Sequence, residues 1–179
     1  MSEIEREDID NLLYERYHDH KENHPDRYID HYLEQYRIYI HVSNSGNERR
    51  AKSNEFFLAI NTAIMGILGY FEIKGPIETP IVFMMVPFVG IAICYCWYRI
   101  IKSYSELNRA KFAVLHSAEK KLPLSLFKTE WELLGKGKDR KKYLPLSSTE
   151  KLIPLIFSIL YVLIFLSNLP WGYIVNFVR

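Results

Sequence analysis

Cysteine is nearly absent: the 179-residue chain carries only Cys94 and Cys96, two positions apart in one apolar run. On a helix, residues i and i+2 do not face each other, which excludes a disulfide framework and a shared cysteine metal site. The two read instead as small apolar members of a buried or lipid-facing helix. Neither sign of charge dominates, with 23 Lys/Arg against 21 Asp/Glu. There is no phosphate-cradling loop, no glycine fingerprint and no nucleophile motif. No catalytic constellation remains, and neither an enzyme, a cofactor nor a nucleic-acid partner is expected. The first fifteen residues (MSEIEREDIDNLLYE) are acidic and lack the basic-then-apolar order of a signal peptide. The N-terminus is therefore expected to be retained, with the first apolar run serving as the insertion signal.

What the chain has is three long uncharged stretches: residues 56–71 (FFLAINTAIMGILGYF), 81–101 (IVFMMVPFVGIAICYCWYRII, charged only at Arg99) and 152–169 (LIPLIFSILYVLIFLSNL). A bilayer core about 30 Å thick takes about 20 apolar residues of helix, with short spans down to about 17. The second and third runs meet that length; the first does so when Glu55 or residues 72–73 sit at the headgroups. A mean hydropathy of −0.10 conceals them, because they are averaged with very polar segments. The fold class is an all-α integral membrane protein with three transmembrane helices.

Residues 1–23 read as a short acidic helix whose apolar side is Ile9, Leu12, Leu13 and Tyr17. Pro25 marks a new start. From 26 to 42, Ile29, Tyr32, Leu33, Tyr36, Tyr39 and Ile40 form one stripe, opposed by Asp30, His31, Glu34, Arg37 and His41. This is an amphipathic helix. Its polar side is mixed and not basic, so a partner helix suits it better than a membrane surface. Residues 43–47 (SNSGN) read as a break before Glu48-Arg49-Arg50-Ala51-Lys52. Beyond the second run the helical stripe continues through Leu107, Val114, Leu115, Ala118 and Leu122, past Pro87, until Pro123 ends it. A helix of about 40 residues would be about 60 Å long, so the second span is expected to extend well beyond the bilayer. A short helix over 127–134 stops at Gly135, a basic linker covers 136–142, and Ser147 with Glu150 has capping-box spacing for the start of the third span.

Charge sets the expected orientation. Three cations precede the first span, and residues 99–151 hold 13 Lys/Arg against 6 Asp/Glu. Lys and Arg near span ends stay cytoplasmic. The expected segments are a cytoplasmic N-terminal part (1–54), span one (55–73), an external turn (74–80), span two (81–101), a cytoplasmic basic helical segment (102–151), span three (152–170) and an external tail (171–179). Trp171 and Tyr173 suit the outer interface. Residues 1–48, with 12 acids against 5 Lys/Arg, oppose the basic segment, and the acidic helices are expected to pack beside the basic stalks, those of neighbouring subunits in particular. The tyrosine stripe would supply most of that energy and charge the register.

Arg49-Arg50-x3-Asn54-x-Phe56-Phe57-x3-Asn61-Thr62-Ala63 resembles the first-span signature of the RipA-family octameric membrane proteins of bacteria, as does Trp97-x6-Tyr104-x2-Leu107-Asn108-x-Ala110-Lys111-Phe112, followed by Glu119-x2-Leu122-Pro123 and Glu130-Trp131. The resemblance runs from about Tyr36 to Pro154. It implies a homo-oligomeric ring of eight subunits in the inner membrane, with helices gathered on the cytoplasmic side, and it brings no reaction or catalytic residues.

The candidate residues each have a duller reading. His18, His20 and His24, with Asp19 and Glu22 between, have partial metal-ligand spacing, but Pro25 disfavours helix at His24 and nothing closes the site; they read as solvated surface. Asn54, Asn61 and Thr62 are polar groups in or beside span one, where an unpaired amide is costly. Interhelical hydrogen bonding is the plain reading and pore lining the sharper one. Arg49, Arg50, Arg99, Lys136, Lys138, Arg140, Lys141 and Lys142 are candidate contacts for anionic lipid headgroups, with topology as the simpler role of the 136–142 run. Tyr32, Tyr36, Asn108 and Lys111 are candidate subunit-interface residues. Two functional classes follow: a non-enzymatic scaffold, supporting envelope homeostasis or stress adaptation and recruiting a cytoplasmic partner, or a ring-shaped channel or transporter for a small solute or ion. No charge lies deep in any span, and ion-coupled transport usually needs one; the scaffold is favoured. The orientation is directly testable: Gly75→Cys should label from outside intact cells and Gly137→Cys only after permeabilisation, and the reverse pattern would overturn it.

Overall fold

The structure, a computed structural model, describes residues 3–74, 80–137 and 146–169. The described residues contain no strand. Among them seven α-helices follow one another: α1 (Glu3–Tyr14), α2 (Tyr17–Asn23), α3 (Tyr28–Lys74), α4 (Pro80–Ala118), α5 (Leu126–Leu133), α6 (Leu146–Glu150) and α7 (Leu152–Ser167), with short 3-10 turns at Glu119–Lys121 and Gly135–Gly137. Three of the helical stretches are long and apolar enough to cross a membrane. They cover the first expected apolar run and most of the other two, although part of the expected external turn (75–79) and the tail from 170 onward lie outside the described residues.

The chain divides into two compact units. One comprises the described residues of Met1–Arg49 and Ser103–Pro145; the other comprises those of Arg50–Lys102 and Leu146–Arg179. Helices α3 and α4 each run through both.

The first unit is organised by tyrosine. Helix α4 ends at Ala118, and the last carbonyls of any helix lack intrahelical partners. Tyr14 donates to the Ser117 carbonyl at 2.6 Å, and Tyr32 donates to the Ala118 carbonyl. The next residue, Glu119, is 1% exposed. Its carboxylate accepts the backbone N–H groups of Phe127 at 2.8 Å and Lys128 at 3.0 Å, and the Tyr36 hydroxyl lies 3.4 Å away. Those amides belong to the first turn of α5, whose N-cap residue Ser125 makes no side-chain cap. A carboxylate at a helix N-terminus is favoured by both the free amides and the macrodipole. Glu119 thus performs from a distance what Ser125 does not, and fixes α5 to the end of α4. Phe112 against Phe127, ring centroids 6.1 Å apart, completes that attachment.

Charge complementarity is realised inside one chain. Lys120 pairs with Asp10, and the Lys121 ammonium lies 5.0 Å from the Tyr14 ring centre and 5.2 Å from that of Tyr17. The hydrogen bond from Lys120 is the main cause holding the Asp10 carboxyl below its usual range. One ion pair and two cation–ring contacts thus join the N-terminal helices to the end of α4 within the chain.

Two local expectations are corrected. The segment 1–23 is not one helix: the chain turns at Glu15 and Arg16, so that Tyr17 stands edge-on to Tyr14, Tyr28 and Tyr32 at 5.5–6.3 Å. Residues 43–47 are not a break either, for α3 passes through them without interruption. Serine, asparagine and glycine favour turns because they offer the backbone alternative bonds or freedom. Here Ser45 bonds back within its own helix, to the His41 carbonyl at 3.1 Å, and α4 engages Asn47 and the neighbouring Val42 carbonyl. Asn47 accepts from Asn108 at 3.2 Å, Lys111 donates to the Val42 carbonyl at 3.4 Å, and a Cβ on Gly46 would come within 2.9 Å of that ammonium. Tertiary contacts override a propensity that amounts to about 1 kcal/mol per residue at most. As expected, the second long helix runs through Pro87, and α5 stops just before Gly135, whose φ of 68° is left-handed.

Burial, with the Glu119 carboxylate beside it, pushes the Tyr36 hydroxyl from 10.0 up to about 12. A folded value above the unfolded one contributes stability in full below about pH 10, and that contribution is lost as pH rises through about 12. Thermal unfolding followed across that interval should show falling stability, and Tyr36→Phe should flatten the decline; an unchanged slope would show that Tyr36 is not held in this way.

Candidate functional site: a polar node among the three spans

An amide in the middle of a span must find partners, because hydrocarbon offers none. Asn61 lies on α3 and is fully buried. Its Nδ2 donates to the Phe57 carbonyl one turn earlier at 2.8 Å. Its Oδ1 accepts from Cys94 Sγ of α4 at 3.2 Å and from the Tyr161 hydroxyl of α7 at 3.1 Å. One side chain therefore joins all three apolar helices, with both lone-pair directions of its oxygen in use.

Tyr161 reaches Asn61 because α4 makes room for it. A Cβ on Gly90 would lie 2.3–2.5 Å from three atoms of the Tyr161 ring. Only glycine lets the ring lie directly on the α4 backbone, and the buried hydroxyl then has a single place to go. Leu68, Ile64, Met65, Val86, Ile91, Phe157 and Ile164 pack around this group.

A second polar join lies on the same helices. Asn54 Oδ1 accepts from Trp97 Nε1 at 2.9 Å. The indole stacks on Phe57 at 5.8 Å with an interplanar angle of 10° and meets Phe157 at 6.4 Å. Trp97 and the neighbouring Ile101 are buried. Close by in the sequence, Arg50 pairs with Glu150 at 3.7 Å, with side chains only 14% and 15% exposed.

The candidates from sequence thus separate. Asn54 and Asn61 are brought together with the other spans and spend their bonds there; Thr62, one residue on, is exposed on α3. Arg50 is held by Glu150, whereas Arg49 and Arg99 are exposed. Lys136 is 3.7 Å from Glu132; Lys138, Arg140, Lys141 and Lys142 lie outside the described residues. Tyr32, Tyr36, Asn108 and Lys111 make the bonds within their own chain given above. Of the histidines, His20 joins not only His24, with rings 5.0 Å apart, but also His31, whose Nδ1 is 3.0 Å from His20 Nε2; His18 instead meets Tyr17. Among the described residues no group of three or more His, Cys, Asp or Glu is arranged to hold a metal ion. Sequence reasoning passed over Gly90 and Tyr161, read Cys94 only as a small apolar residue, and placed Trp97 only in the family signature. The available signal for Tyr161 was that it is one of the few hydrogen-bonding positions in the run 152–169.

Three apolar helices knotted on one amide, in a chain with Arg-Arg ahead of the first span, agree with the match to the family model described as the octameric membrane protein family (8xMP), which covers residues 33–170. The chain belongs to that family. It is a self-associating, all-helical membrane protein, and the match embraces every residue of the Asn61 and Asn54 joins. No curated protein matches the chain, and no solved structure matches it.

Removing the node should be costly in a patterned way. Interhelical hydrogen bonds in membranes average about 0.6 kcal/mol and reach about 1.7, so Asn61→Ala should destabilise the membrane unit by about 1–3 kcal/mol. After that change Tyr161→Phe should cost almost nothing further, since coupled partners are non-additive. Gly90→Ala forces the ring away and should cost about as much, in the range of overpacking at about 1–3 kcal/mol. Detergent-titration unfolding of the single and double variants measures all three; additive losses for Asn61 and Tyr161 would show that they do not act together.

Proposed function

We propose that this protein is a non-enzymatic scaffold: an octamer in the bacterial cytoplasmic membrane, N-terminus inside and C-terminus outside, that supports the envelope by organising anionic lipid and a cytoplasmic partner. The single observation that carries the reading is how the spans use their polar groups. Asn61 and Asn54 are consumed by Tyr161, Cys94, Phe57 and Trp97 of the same chain. The runs 56–71 and 152–169 contain no Asp, Glu, Lys or Arg, and 81–101 contains only Arg99 near its end. A conduit for ions needs polar or ionisable groups turned toward water, and both asparagines of span one spend their bonds inside the subunit. The tyrosine-rich, oppositely charged first unit offers a large polar surface for a protein partner.

The alternative, a ring-shaped channel or transporter, draws on Thr62, which is exposed at mid-span with the small Ala63 and Gly66 nearby. Reconstitution decides between them. Liposomes holding the purified octamer should leak potassium, protons and a small neutral dye no faster than protein-free liposomes. Steady single-channel conductance that Thr62→Trp blocks would replace the scaffold with a conduit.

A further inference from the structure

The second unit carries a feature that neither the node nor the family match accounts for. Between α4 and the α6–α7 segment runs an open groove of about 530 Å³, within the range of small-molecule sites. Its walls are apolar, with Ile91 on one side and Leu152 and Leu155 on the other, while Tyr98, Ser148 and Lys151 stand toward one end. Ile91 and Tyr98 are seven residues apart on one helix, so the groove is about 10 Å long along the span axis. Leu152 and Leu155 are about half exposed, at 52% and 54%. The groove is thus mostly apolar, with Cys94, Tyr95 and Ser158 also in its lining, and two hydroxyls and a cation stand toward the border of span three.

The charge at that end is not matched by the nearest acid. Glu150, immediately before Lys151, is engaged with Arg50, both side chains being largely withdrawn from solvent. Arg99 follows Tyr98 and is exposed. A mostly apolar trough lying along an apolar helix, with a lysine and two hydroxyl groups toward one end, has the chemistry of one lipid chain below and a phosphate above.

We infer that the groove between α4 and α7 is a binding site for an anionic phospholipid, its acyl chain lying along Ile91, Leu152 and Leu155 and its phosphate received by Lys151, Tyr98 and Ser148. Basic residues near span ends attract anionic lipid in general; this site adds a shaped receptor, and it places the decisive cation at Lys151, outside the basic run at 136–142. The occupant is a lipid and not a neighbouring subunit's helix because the open end is cationic and hydroxyl-rich, which complements a phosphate and offers an apolar helix nothing. The site is independent of whether the octamer is a scaffold or a conduit.

Native mass spectrometry of the delipidated full-length oligomer, titrated with dioleoyl phosphatidylglycerol or dioleoyl phosphatidylcholine, tests it. The wild type should bind the anionic lipid about fivefold more tightly, the effect of about one basic residue at an anionic headgroup. Lys151→Gln should remove that preference while the oligomer's mass is unchanged. Leu155→Trp, which fills the trough, should reduce binding of both lipids, and Lys136→Gln should change nothing. Equal binding of the two lipids by the wild type, or a preference that survives Lys151→Gln, would overturn the proposal. So would efficient disulfide-linked dimer formation by Leu155→Cys in a Cys96→Ser background, which would put a second copy of the chain in the groove.

Discussion

A carboxamide surrounded by hydrocarbon has to be given partners by the protein itself, and the membrane unit is built around that requirement. Leaving the Asn61 amide unpaired in the interior of the spans would cost several kcal/mol per group. The chain meets the requirement with one donor from each of the other two apolar helices and one carbonyl from its own. Packing then follows from bonding. Tyr161 comes close to α4 because its hydroxyl is wanted at Asn61, Gly90 exists to let it in, and Trp97 with Asn54 repeats the device nearer the end of the spans. In a lipid solvent, where apolar surface alone gives helices no reason to associate, such joins decide which helix faces which.

The other unit solves a different problem with related means. Helix ends leave unsatisfied carbonyls and amides, and here both kinds are met by side chains outside the helix, from far away in sequence for the carbonyls and from eight or nine residues before for the amides. Tyr14 and Tyr32 serve the carbonyl end of α4; Glu119 serves the amide end of α5. The tyrosines therefore act as hydrogen-bonding caps as much as apolar bulk. Their raised hydroxyl pKa is the same fact seen through titration, since burial disfavours the phenolate. The long-range bonds that define both units come from a handful of polar atoms, and the many exposed aliphatic side chains of the spans are left to lipid and to other subunits.

This arrangement narrows the functional readings. Asn54 and Asn61 spend their bonds inside the subunit, in a chain whose family is described as octameric. The surfaces still to be used are of two kinds. One is the exposed side of α3 around Thr62, small and weakly polar; the other is the groove ending at Lys151, apolar with a cationic end. They suit different occupants, a helix and a lipid, because a close helix approach asks for small side chains whereas a headgroup asks for charge.

What the sequence by itself determined is what depends on composition along one segment. Three uncharged runs of sufficient length declare three spans, a 3.6-residue stripe declares the helix through Tyr32 and Tyr36, Pro123 and Gly135 punctuate the segment beyond α4, and the spacing of Arg49, Asn54, Asn61, Trp97 and Asn108 carries the family. Only the tertiary structure decided what depends on which segments meet. Residues 43–47 look like a break and are helical, with Asn47 and the adjacent Val42 carbonyl bonded by Asn108 and Lys111 of α4. The segment 1–23 looks like one helix and bends because Tyr17 packs on Tyr28 and Tyr32. Asn61 was legible as a polar residue needing a partner, but Tyr161 and Cys94 were not legible as that partner, since they lie 100 and 33 residues away. Local free energies of about 1 kcal/mol per residue can be read from neighbours in the chain; the choice among distant hydrogen-bond partners is made only when helices are packed, because only then does each candidate's distance and desolvation exist.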